Sequence, residues 1–299
     1  MKTVLRYAGG KSRAIKHITP FIEDYETIVS PFIGGGSLEV HWAGNLNKTV
    51  IGYDIFDVLV NFWDTLLSDN ISLSEKLLSI NPTPEEFNIV KEKLMSLDKT
   101  QEMLKDWNTN YYKRDEIISL NPIDLSAYYY FNHNCSYGPG YLGWGSSVYL
   151  KKDKWISMID KIKSFKLPNL SVSQSTFQES IPKHNNDFLY LDPPYFLEKD
   201  SDNKMHKGMY PMKNFDVHHS GFDHIGLRDL LLKHNGDFVL SYNNCETIRD
   251  LYKDFDFYFP EWSYSMSNGE TRIGKNRISL NDNKIVKDSH EILIVKKTG

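Results

Sequence analysis

Two apolar runs, Thr27-Ile28-Val29-Ser30-Pro31-Phe32 and Thr49-Val50-Ile51-Gly52-Tyr53-Asp54, flank the segment Gly34-Gly35-Gly36-Ser37, and this arrangement constrains the fold more than any other feature of the chain. Each run has the length of a strand. The triple glycine between them permits a sharp turn and close backbone approach, and a helix is predicted from Ser37. The second run leads into Phe56-Asp57-Val58-Leu59-Val60-Asn61-Phe62-Trp63, apolar enough for a buried helix. Strand and helix therefore alternate, the pattern of a parallel α/β sheet.

From about residue 69 to residue 165 the texture changes to charged helical segments, such as residues 84–97 and 124–131, with no convincing strand. Strand character returns at residues 170–174, 187–192, 237–242, 255–259 and 291–295. The chain thus divides into a sheet-forming part, residues 1–68 and 166–299, interrupted by a helical insertion, residues 69–165. The polar stretch 267–287 carries Asn-Gly and Asn-Asp-Asn turn signals and reads as a surface hairpin or a disordered loop.

The 299 residues are enough to bury a sizeable core, and the formal net charge of -4 argues against indiscriminate coating of nucleic acid while leaving room for a local basic face. No run approaches the roughly 18 apolar residues of a membrane span, and the amino terminus has no secretory pattern, so a cytoplasmic protein is expected. Cys135 and Cys245 lack metal-ligand spacing, so reduced thiols are expected and no metal. His218, His219 and His224 have no acids or cysteines at useful spacing and read as solvated loop histidines. The oligomeric state is left open, with a monomer favoured.

The chemistry concentrates in Asp192-Pro193-Pro194-Tyr195, directly after the apolar run Phe188-Leu189-Tyr190-Leu191. Proline disfavours helical geometry in the residue before it, so Asp192 is held extended beyond the strand end. Its carboxylate and the Pro193 carbonyl can each accept an N–H from a planar exocyclic amine. Tyr195 offers a flat face on which a base can stack, contributing roughly 1–3 kcal/mol. Taken alone, the tetrapeptide also reads as a proline-rich turn capping a buried strand. The triple glycine fails the dinucleotide fingerprint, because Glu39 stands where its last glycine belongs. Asp54, however, follows at the distance of an acid that meets ribose hydroxyls, which points to an adenosine-containing ligand. Ala8-Gly9-Gly10-Lys11-Ser12 resembles the tail of a phosphate-binding loop, but Leu5 occupies the position of the first required glycine.

In order along the chain, Arg6-Tyr7-Ala8-Gly9-Gly10-Lys11, Pro31-Phe32-Ile33-Gly34-Gly35-Gly36-Ser37, Asp54, the insertion and Asp192-Pro193-Pro194-Tyr195 resemble the DNA adenine-N6 methyltransferases of the alpha arrangement, the class of the deoxyadenosine methylases. Gly236 to Asn243 and His290 to Ile294 resemble that family's later core strands. The resemblance implies a Rossmann-like fold with a seven-stranded, mostly parallel sheet and a target-recognition insertion. It further implies S-adenosyl-L-methionine as methyl donor and double-stranded DNA as partner. The cofactor would lie among Tyr7, Lys11, Phe32, Gly34, Gly36, Asp54, Thr176, Phe177 and Asp192. Asp192, Pro193 and Tyr195 would hold and activate an adenine flipped out of the duplex. Three features depart from the family pattern. Tyr7 stands where Trp is frequent, Thr176 where an acid is frequent, and residues 131–140 match only loosely the segment of enzymes that read GATC.

Phosphate contacts are expected from basic clusters, in particular Lys151, Lys152 and Lys154, and Arg272, Lys275 and Arg277, with Lys161 and Lys163 as further candidates. The tract 134–147, including Asn134 and Tyr137, is the candidate for base reading, with a packed loop as the alternative. Methylation of the cytosine N4 amine, or an idle DNA-binding protein on the same fold, remain open alternatives.

Overall fold

The computed structural model describes residues 1–7, 9–98, 120–138, 140–196, 222–260 and 291–297. Arg272, Lys275, Arg277, His218, His219 and the polar stretch 267–287 lie outside the described residues. Among the described residues seven strands form one sheet in the order β3-β2-β1-β4-β5-β7-β6. They are β1 (Thr27–Ser30), β2 (Thr49–Asp54), β3 (Leu170–Gln174), β4 (Phe188–Leu191), β5 (Phe238–Asn243), β6 (Asp256–Tyr258) and β7 (Glu291–Lys296). Pairing from β3 to β5 is parallel, whereas β7 runs antiparallel to both β5 and β6.

The strands form where they do because their side chains serve two cores alternately. Ile28, Phe188, Tyr190, Val239, Leu293 and Val295 face one core. Val29, Leu189, Leu191, Phe238, Leu240, Ile292 and Ile294 face the other. This is the period of two along a strand covered on both sides, and it explains why β4 and β5 are buried along their whole lengths. The apolar run at residue 27 gives a strand only as far as Ser30, where the Pro31 turn begins.

Helices fill the connections: α1 (Ile15–Ile18), α2 (Ser37–Asn45), α3 (Asp57–Ser68), α4 (Asn70–Leu78), α5 (Pro84–Asp98), α6 (Pro122–Asn134), α7 (Lys152–Lys163) and α8 (Phe177–Lys183), with His224–Lys233 and Glu246–Leu251 flanking β5. Side chains of Asp69, Asn121, Thr176 and Asp223 accept backbone N–H groups at helix starts and so satisfy donors that the first turn leaves without partners. Among the described residues of 69–165, helices α4 to α7 extend the first core across α3. Phe62 of α3 stacks on Tyr130 of α6 at 5.4 Å, and the Asn61 amide donates to Pro122 O at 2.9 Å and Ser126 Oγ at 2.7 Å. The Trp155 indole of α7 donates to Leu77 O and Ile80 O at 3.2 and 3.1 Å, which closes α7 onto the end of α4. Among the described residues no helix is long and apolar enough to cross a membrane.

Candidate active site

The carboxyl ends of β1, β2, β4 and β5, where ligands of open α/β sheets sit, gather the sequence-predicted residues. Between β1 and α2 the glycine loop turns through left-handed residues, Gly34 at φ 47° and Gly36 at φ 61°. It is also wedged between two rings. A Cβ on Gly35 would fall 2.4 Å from the Tyr7 Cβ, and one on Gly36 2.8 Å from the Trp63 indole. The indole N–H of Trp63 donates to Gly34 O at 3.0 Å. At the end of β2, Asp54 accepts the Gly34 N–H at 3.0 Å and the Phe56 N–H at 2.9 Å, so the acid and the loop are locked to each other. Burial pushes the Asp54 carboxyl upward, and the backbone N–H groups of Phe56 and Gly34 oppose that push.

Tyr7 also stacks on His133 of α6, with ring centroids 5.5 Å apart and 22° between planes. Burial drives His133 down to about 4, so it is neutral at physiological pH. Phe32 and Phe177 lie 5.8 Å apart, and both meet Phe222, at 5.8 and 5.2 Å. Thr176 caps α8, its hydroxyl oxygen accepting the Glu179 N–H at 3.2 Å.

Across the loop from this aromatic group lies the tetrapeptide, held by Lys11. The buried ammonium donates to Asp192 Oδ1 at 2.8 Å and to the Tyr195 hydroxyl at 2.7 Å, and stands 3.6 Å from Glu291 Oε1. Asn243 of β5 clasps the next residue from both sides, accepting the Phe196 N–H and donating to Phe196 O, each at 2.9 Å. The cluster contains further acids. Glu39 of α2 is buried and accepts the Ser30 hydroxyl at 2.8 Å, and Glu291 at the head of β7 accepts the Ser241 hydroxyl at 3.3 Å. Burial raises Glu39 to about 7, with the nearby Asp192 charge adding to it. Burial likewise raises Glu291 to about 7, against the pull of Lys11, and moves Asp192 upward against the same pull. Glu39 and Glu291 carry signals that the sequence does hold, since Glu39 lies between Leu38 and Val40 and Glu291 heads the apolar run Ile292-Leu293-Ile294-Val295. Phe222 belongs to no motif that would have marked it.

Several expected residues sit differently from their sequence reading. Tyr195 is 7 % exposed, its ring covered by Lys11 at 5.0 Å and Tyr242 at 6.1 Å, so it is not an open platform in this arrangement. Asn134 is fully buried and does not face solvent. Its amide accepts the Arg6 N–H at 2.9 Å and donates to Val4 O at 3.1 Å, tying the amino-terminal segment to α6. His224 is not a loop histidine either, because it starts a helix and pairs with the Tyr242 hydroxyl. Of the tract 134–147, Tyr141 and Leu142 pack inward while Tyr137 and Trp144 are 74 % and 80 % exposed, joined by the Tyr137 N–H to Trp144 O bond of 2.7 Å. Lys151, Lys152 and Lys154 are exposed at the start of α7.

The family model for D12 class N6 adenine-specific DNA methyltransferases matches residues 7–266. The type II methyltransferase M.FokI of Planomicrobium okeanokoites is 25% identical over 93% of this chain, and the modification methylase StsI of Streptococcus sanguinis is 22% identical over 98%. The chain spans 42% of the length of each of these two relatives. The match over most of its length makes the chain a member of the D12 class N6 adenine-specific DNA methyltransferase family.

Proposed function

From that membership we propose that the chain transfers a methyl group from S-adenosyl-L-methionine to the N6 amine of an adenine flipped out of double-stranded DNA, acting as a modification methylase in the cytoplasm. The observation that carries the reading is Asp192, a carboxylate fixed at the carboxyl end of β4 by a buried lysine beside a glycine loop and a strand-end acid.

The residues around the loop fit the cofactor. Asp54 stands at the strand end suited to ribose hydroxyls, and the aromatic group of Phe32, Phe177 and Phe222 suits a purine ring. Tyr7 braces the loop that the cofactor would approach. When bound, S-adenosyl-L-methionine supplies an electrophilic methyl group on a sulfonium. Everything else falls to the protein. The adenine amine is a weak nucleophile because its lone pair is delocalised into the ring. Lys11 takes Asp192 Oδ1 and leaves Oδ2 for one N–H of the amine, while the Pro193 carbonyl accepts the other. Fixed acceptors of this kind draw the lone pair out of the ring and favour the positive charge that develops on nitrogen during transfer. Holding the amine in line with the methyl group adds an orientation effect. Tyr195 would stack on the flipped base after Tyr242 gives way, while Lys11 keeps its hold on Asp192.

The helical insertion, residues 69–165, is proposed as the part that meets the duplex, through Tyr137 and Trp144 and the lysines that open α7. Expression in a methylation-free host, followed by methylation-sensitive sequencing, tests the reading. N6-methyladenine at a defined site is expected, and N4-methylcytosine or unmodified DNA would reject it. Asp54→Ala should weaken binding of the cofactor in calorimetry without DNA, by about 1–3 kcal/mol for hydrogen bonds to a charged group that are no longer made.

A further inference from the structure

We infer that Glu291 is a positioning residue for the transfer reaction: as a second counter-charge for the Lys11 ammonium, 3.6 Å from it, it fixes where that ammonium holds Asp192. The inference rests on the amine-methylation reading, because it concerns the same carboxylate. Lys11 belongs to the amino-terminal segment, Asp192 and Tyr195 to the loop after β4, and Glu291 to β7, so three distant parts of the chain meet at one ammonium. An ammonium has three donors in a fixed tetrahedral arrangement. Two of them reach Asp192 and the Tyr195 hydroxyl, and the Glu291 charge 3.6 Å away adds an ion-pair pull on the ammonium that neither of those bonds supplies.

Glu291 is itself braced. Its Oε2 accepts the Ser241 hydroxyl at 3.3 Å, and Ser241 Oγ stands 3.5 Å from the Tyr195 hydroxyl, which closes a ring through Tyr195, Lys11 and Glu291. Stability alone does not call for this acid. Burying a second carboxylate beside Asp192 carries a desolvation cost and a repulsion, and a glutamine of the same shape would keep the Ser241 hydrogen bond without either. The charge makes sense where the ammonium needs a counter-charge that persists while Asp192 is engaged with an amine. Among the described residues, the charged and titratable groups around Glu291 include Lys11, Asp192, Tyr195 and Tyr190, with Glu39 near Asp192.

The test uses the full chain, wild type and Glu291→Gln. In the protein without DNA or cofactor, the Asp192 carboxyl is titrated by carbon-13 NMR. Ionisation of Glu291 near neutrality is expected to add a second step to the Asp192 carboxyl shift, a step that Glu291→Gln abolishes, and identical curves in both proteins overturn the coupling. In single-turnover methylation, Glu291→Gln should reduce the rate about 10- to 100-fold, the scale of a small misplacement of a reacting group, with the KM for duplex unchanged. The wild-type rate should rise with pH through neutrality as Glu291 ionises. That rise should vanish in Glu291→Gln and persist in Glu39→Gln. A variant as fast as wild type overturns the positioning role. Should the variant fail to fold, a wild-type rate that is flat between about pH 6 and 8 overturns it instead. A wild-type protein with no transfer at all rejects the functional reading, and the carboxyl titration then still decides whether Glu291 is coupled to Asp192.

Discussion

Around Lys11, the side chains of Asp192, Glu291, Tyr195 and Ser241 meet one another within hydrogen-bond or ion-pair reach, whereas in the loop between α6 and α7 Tyr137 and Trp144 stand 74 % and 80 % exposed. The first region is a low-dielectric cluster in which each charge is defined by its neighbours, so one atom changes several groups at once. The second region presents exposed ring faces, with the Lys91 ammonium 4.9 Å from the centre of the Trp144 ring. Substitutions in the cluster should alter rate and pH behaviour. Those in the loop should alter affinity for DNA and leave the chemistry alone.

The largest test of that division is Asp192→Ala. Loss of one preorganised acceptor should slow single-turnover methylation by about 100- to 1000-fold. Duplex binding and the melting temperature should change little, because Lys11 keeps Glu291 as a partner. Near wild-type rates would remove Asp192 from the chemistry. Next in size is the pH dependence of stability from Glu39. Its folded value of about 7 lies above the ordinary 4.5, so between these values the folded state holds more protons than the unfolded one. Stability should therefore fall as pH rises through that window, by on the order of 3 kcal/mol for a full shift of this size, and Glu39→Gln should flatten the slope. Denaturant titrations across the window measure it, and equal slopes in both proteins would reject the buried acid as the cause.

Smaller effects belong to the loop. Tyr137→Ala and Trp144→Ala should each weaken duplex binding by roughly 1–3 kcal/mol where the ring stacks on a base. If they instead slow the chemical step at saturating DNA, the two regions are not separable. The smallest effect is that of Lys151, Lys152 and Lys154 replaced together by Gln, which should reduce the slope of log affinity against log salt by about 0.9 for each phosphate that these lysines neutralise. An unchanged slope takes the start of α7 off the interface.

Most of the sheet is legible in the sequence because its strands are short apolar runs bounded by breakers, and the glycine loop because only a turn suits three successive glycines. The way the insertion attaches is not legible. Helix α6 buries ten consecutive residues from Leu125 to Asn134, polar ones included, and these find partners far along the chain: Ser126 at Asn61 and Thr65, Asn134 at Val4 and Arg6. A polar residue in a tract rich in Gly and Tyr reads as exposed, and for that reason the sequence places Asn134 at the DNA while the fold buries it. The site is legible where a motif is local, as in Asp192 to Tyr195, and hidden where a role arises by convergence, as in Glu291 with Lys11 across 280 residues (291 − 11).

The insertion of β7 between β5 and β6 bears on how the molecule is made. During synthesis the earlier strands leave the ribosome first, yet β5 and β6 have no strand between them until residues 291–296 arrive. Until that moment β5 presents an open edge, and the acid at the head of β7 is absent from the Lys11 cluster. Such a long-range closure is slow, because loop entropy must be met before the paired strands stabilise one another. The pairing of β7 with β5 and β6 is thus also the step that brings this last acid to the Lys11 charge cluster.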